Sequence, residues 1–71
     1  MKEYHYEIVM YWDDIDNIFI AEVPELPGCM AHGSTKIDAI KNTEEAISVW
    51  LKTAIEDGIE VPHPKEHQMI A

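Results

Sequence analysis

The sequence predicts an α+β domain: a small antiparallel three-stranded sheet covered on one face by one long helix, in the order β-β-β-α. Three observations predict it. Tyr4–Trp12 and Ile18–Val23 both alternate side chains in the β-branched and aromatic manner of strands, and an Asp/Asn-rich link joins them. Pro24 and Pro27 then bracket a short acidic link ending in Gly28, after which a third short run begins. Finally, Thr35–Asp57 repeats its apolar residues at intervals of three and four, the period of an amphipathic helix.

In the first strand, Tyr4, Tyr6, Ile8, Met10 and Trp12 share one face, and His5, Glu7, Val9 and Tyr11 the other. Asp13-Asp14-Ile15-Asp16-Asn17 reads as a hairpin loop in which Asn17 accepts positive φ. In the second strand Phe19, Ala21 and Val23 lie opposite Ile18, Ile20 and Glu22. Neither proline suits a central strand, and Pro27-Gly28 has the chemistry of the two middle residues of a type II turn. The stretch AEVPELPGC therefore ends a strand, turns sharply and starts the third strand, Cys29–His32, which Gly33 closes. A turn this stiff holds Glu25 and Leu26 at a fixed place.

Thr35 with Asp38 resembles a capping box with a shortened acid. The stripe Ala39, Ile40, Thr43, Ala46, Ile47, Trp50, Leu51 and Ala54 forms the buried face, and Gly58 sits where a helix stops. Ile59–Pro64 is an extended exit, and Glu66–Ile70 is expected to add a short edge strand. Both faces of the first two strands carry sizeable apolar groups, whereas one helix covers one face. A homodimer or tetramer is the expectation for the other.

Seventy-one residues make a single domain, 1–71, whose core rarely supplies more than about 3–5 kcal/mol unaided. The single cysteine excludes an internal disulfide and fits a reducing compartment. There is no secretory leader and no apolar run near the roughly 20 residues that cross a bilayer, so a cytoplasmic, soluble chain is expected. The formal charge of −9, with 14 acids against five bases, disfavours direct nucleic-acid contact and favours a basic protein partner.

Candidate chemistry is sparse. Asp13, Asp14 and Asp16 suggest calcium, but that loop pattern needs glycine and glutamate where Ile18 and Pro24 stand. Cys29-x-x-His32 and His63-x-x-x-His67 have spacings usable by zinc, without a second cysteine to strengthen them. No phosphate-cradling glycine loop, dinucleotide fingerprint or serine–histidine arrangement occurs. The expectation is no catalytic residue, no metal and no cofactor.

One combination is specific. It runs from the acidic turn after Trp12 through Ala21-Glu22-Val23-Pro24-Glu25-Leu26-Pro27-Gly28-Cys29 and Ala31-His32-Gly33-Ser34-Thr35 to Asp38-Ala39-Ile40, Glu45-Ala46-Ile47, Trp50-Leu51 and Val61-Pro62-His63-Pro64. This resembles the HicB family of type II antitoxins over nearly the whole chain. The resemblance implies a partial ribonuclease H-like fold without nuclease activity. It implies a HicA toxin as partner, a small basic protein that cleaves mRNA through a histidine and is masked by the antitoxin. Many family members add a C-terminal DNA-binding segment; this sequence resembles a short member without one, and no direct operator contact is expected from it. The hairpin also departs from the family in carrying Ile15 and Asn17 where an acid and a glycine are typical. On this reading Glu22, Glu25 and Leu26 contact the partner, and Pro24, Pro27 and Gly28 form the turn that presents them. The alternative is a structural or regulatory homo-oligomer with no toxin partner.

Overall fold

The computed structural model of the protein describes residues 5–64. Within them the order is β1 (Val9–Asp13), β2 (Ile18–Glu22), β3 (Met30–Gly33) and α1 (Lys36–Glu56). The sheet is antiparallel with β2 in the middle. The predicted fold class holds, and the helix ends fall within one residue of those read from the sequence. The Glu66–Ile70 strand lies outside the described residues.

β1 starts later than the alternation suggests. Val9 pairs with Glu22, so residues before it would have to pair with Val23 and Pro24. Pro24 has no N–H to offer, and the chain turns away there. Tyr6 and Ile8 pack against the core instead of joining the sheet. The hairpin closes through Asp13↔Ile18, and Asn17 takes φ 53°. Asp13 accepts from the Ile15 N–H at 2.9 Å, which fixes the loop locally.

α1 spans 21 residues, about 31 Å at 1.5 Å per residue. The Thr35 hydroxyl accepts from the Asp38 N–H at 3.1 Å and caps its start. At its end Gly58 N–H donates to Ile55 O (3.2 Å) and Ile59 N–H to Ala54 O (2.8 Å). With Gly58 at φ 71°, this is a Schellman stop. The face toward the sheet buries Ala39, Thr43, Ile47 and Ala54. Thr43 lies there because its hydroxyl donates to Ala39 O at 2.6 Å, so no polar atom is left unpaired.

The core sits between α1 and one face of the sheet: Ala21, Val23, Leu26, Cys29, Ala39, Ile47 and Ala54. The helix packs mainly on β3 and less on β2. Trp12 on β1 is consequently 45% exposed; it stacks edge-on against Phe19, with ring centroids 4.8 Å apart. The helix approaches β3 most closely at Gly33, where a Cβ would fall 2.4 Å from Ala39 N. Backbone cannot give way as a side-chain tip can. Gly33→Ala should therefore cost about 1–3 kcal/mol as an overpacking change. Chemical denaturation checks this; an unchanged midpoint would show that the helix does not press on β3.

Candidate interaction surface

The PELPG segment is two successive turns. Leu26 N–H donates to Val23 O (3.1 Å) around Pro24, and Cys29 N–H donates to Leu26 O (2.9 Å) around Pro27 and Gly28. Gly28 has φ 79°, as the third residue of a type II turn requires. Val23 N–H donates to Cys29 O (3.0 Å) and closes the loop. The Trp50 indole N–H donates to Pro27 O (2.9 Å) and ties the loop to α1.

This geometry corrects one expected contact residue. Leu26 is 0% exposed; the two turns fold its side chain inward, into the core with Val23, Cys29 and Ile47. A leucine between two prolines reads as displayed, but burying it is what anchors the loop. Glu25 is half-buried, and its charge acts on the Tyr6 phenol. Glu22 lies half-buried on the sheet face away from α1, in one row with Val9 and Met30. The expected contact residues are thus not gathered on one tip.

That open face carries Val9 (41% exposed), Tyr11 (44%) and Met30 (51%), with Ile18 and Ile20 half-buried between them. The Tyr11 phenol is hydrogen-bonded to Glu22. Partial burial first, then that bond and the Glu22 and Asp13 charges, raise its pKa above the usual 10.0. Tyr6 is raised too, by burial and then by Glu25; its hydroxyl donates to Pro62 O. Its neutral form is the one the fold favours. The stability it contributes is complete below pH 10.0 and is lost as pH climbs through the raised folded value.

The Cys29–His32 pair and the hairpin aspartates are not brought together as a metal site. Cys29 and His32 are three residues apart on an extended segment, which puts them on opposite faces: Cys29 is buried under α1 and His32 is exposed. Asp14 accepts from the Trp12 indole at 2.6 Å, while Asp13 serves its own loop. Among the described residues, no three of His, Cys, Asp or Glu come together as metal ligands. His67 lies outside the described residues.

The feature that sequence reading missed is a groove of about 730 Å³ between the outer edge of β3 and α1. Met30, Asn42, Ala46, Val49 and Trp50 line it, and Glu45 is its acid. Val49 is 64% exposed and falls just off the buried stripe, the one trace of the groove in the sequence.

Residues 6–71 match the HicB-like antitoxins of bacterial toxin–antitoxin systems. A UPF0150 protein of Thermoplasma acidophilum is 30% identical over 61 residues, 86% of this chain and 88% of that one. An uncharacterised 14.9 kDa protein of Haemophilus phage HP1 is 34% identical over 50 residues, covering 70% of this chain and 38% of the phage protein. Among solved structures, the N-terminal domain of Burkholderia pseudomallei antitoxin HicB is 38% identical with a TM-score of 0.71, over 84% of this chain and 69% of that one. A chain of a HicA3–HicB3 toxin–antitoxin complex is 31% identical with a TM-score of 0.73, over 86% and 70%.

Two outcomes are expected. Trp50→Phe keeps most of the packing but strands Pro27 O, and should cost about 1 kcal/mol in a denaturant titration. Burial pushes the Cys29 thiol above its usual 9.0. Iodoacetamide at pH 8 should therefore label the folded chain far more slowly than the urea-unfolded one; equal rates would contradict the packing.

Proposed function

Because the chain belongs to the HicB-like antitoxin family of bacterial toxin–antitoxin systems, we propose that it is a non-catalytic antitoxin that binds a small, basic, HicA-type mRNA-cleaving toxin and masks its RNA-cleaving surface. The observation that carries this beyond family membership is charge. The chain bears a net −9, and its described cations, Lys36, Lys41 and Lys52, all sit on α1. Among the described residues, the hairpin, the PELPG loop and the sheet face away from α1 offer Asp13, Asp14, Asp16, Glu22 and Glu25 without an intervening lysine. A protein surface that reads RNA phosphates is basic, and this acidic side competes for it on the same electrostatic terms. Glu22 and Glu25 are the proposed contacts from the sequence reading; Leu26 supports them from the core.

A second reading has its own support. Val9, Tyr11 and Met30 form exposed apolar surface on the open sheet face, as a homodimer or tetramer without a toxin would require.

One experiment separates the two. The purified chain is titrated with a HicA-type protein encoded beside it, inactivated at its histidine, and the mixture is followed by calorimetry and sedimentation. Binding at micromolar concentration that weakens as salt rises supports the antitoxin. Glu22→Lys and Glu25→Lys should each weaken it several-fold, as loss of a charge contact does. Self-association with no toxin binding at micromolar concentration defeats the antitoxin reading in favour of the oligomer.

A further inference from the structure

The pairing of β2 with β3 fixes which β3 backbone groups are unused. Val23 N–H bonds to Cys29 O, so residues 23 and 29 face each other at a hydrogen-bonding position of the ladder, where the Cys29 N–H turns instead to Leu26 O. Pairs alternate along an antiparallel ladder. Ala21↔Ala31 and Phe19↔Gly33 are therefore also bonded pairs, whereas Ile20↔His32 and Glu22↔Met30 are not. Met30 and His32 thus direct their N–H and C=O groups outward, away from β2. His32 O is taken by the Asn42 side-chain amide at 2.8 Å. Met30 N–H, Met30 O and His32 N–H remain at the edge, and the described residues place no strand beside them. The groove runs along this same edge, with Ala46, Val49 and Trp50 as its apolar wall.

The geometry points to β3 and this groove as a docking site for one extended strand of a basic protein partner, added to the sheet edge. This rests on the antitoxin reading for the partner's identity, not for its chemistry. A guest residue opposite Met30 exchanges two hydrogen bonds with it, and His32 N–H supplies a third. The guest's side chains then alternate. The one opposite Ala31 enters the groove against Val49 and Trp50 and should be apolar. Those opposite Met30 and His32 lie on the open face, in the row that contains Glu22. Among the described residues, the charged ones bordering this path are Glu22 and Glu45, and no lysine lines the groove. Charge complementarity therefore selects lysine or arginine at the alternate positions. It also disfavours a second copy of this chain, which would bring another −9.

The probe is an octapeptide alternating valine and lysine, with a valine–glutamate octapeptide as control. Each is titrated into the full chain and followed by 15N–1H chemical shifts. Saturable shifts of Met30, His32, Asn42, Val49 and the Trp50 indole are expected with the lysine peptide alone. Met30→Pro removes an outward donor without touching the β2 ladder and should weaken binding about fivefold, the equivalent of one lost hydrogen bond. Val49→Arg, on an exposed helix position, should weaken it at least as much; it keeps the test valid if the proline variant unfolds. Tyr11→Arg on the open face should leave the groove shifts in place. Shifts confined to Val9, Tyr11 and Ile20, equal response to the glutamate peptide, or no response overturns the proposal. So does concentration-dependent shifting of the same groove residues in the chain alone, which would make a second copy the occupant. Peptide binding in the groove without toxin binding would uphold the site while removing the antitoxin reading.

Discussion

The hydrogen bond from Val23 N–H to Cys29 O is the constraint on which the rest of the structure depends. It closes two proline-containing turns over a buried leucine, and so holds β3 in register with β2. Ala31 and Gly33 then face β2 for bonding, while Met30 and His32 face outward. The same register places Gly33 under α1, where only a residue without Cβ fits. Trp50 reinforces the closure from the helix side by binding Pro27 O. One local motif therefore sets the sheet edge, the helix seat and the wall of the groove together.

The helix seat has a consequence for surface. A single helix centred near β3 leaves Trp12 on β1 half-exposed and the far sheet face open. The apolar surface left over is bordered by carboxylates. That combination gives a partner both area to bury and a reason to arrive, since charge governs encounter and apolar burial governs residence. Two of the bordering carboxylates also serve the fold: Asp13 accepts from the Ile15 N–H and Asp14 from the Trp12 indole, both within the hairpin.

Most of the fold was legible in the sequence because its determinants are local. Asn17 and Gly28 adopt the positive φ their chemistry favours, Thr35 caps, Gly58 stops the helix, and the three-four stripe is the buried face. What was not legible depends on distance. The late start of β1 follows from Pro24, two residues past the end of the partner strand, not from anything in Tyr4–Ile8. Leu26 looked exposed because a proline-rich acidic link reads as surface; only the second turn, bending it back under Val23, makes it core. The groove could not be read because it needs the direction of the β3 hydrogen bonds and the lateral position of α1, neither of which periodicity encodes. Family resemblance was readable from the same motif that builds the turn, since those residues are both distinctive and structurally required.

Amide hydrogen exchange on the isolated chain tests the central constraint most directly. The account predicts slow exchange at Val23, Cys29, Ala31 and Gly33, and fast exchange at their neighbours Met30 and His32. Met30 and His32 protected as strongly as Ala31, or Val23 and Cys29 exchanging like free loop, would contradict it.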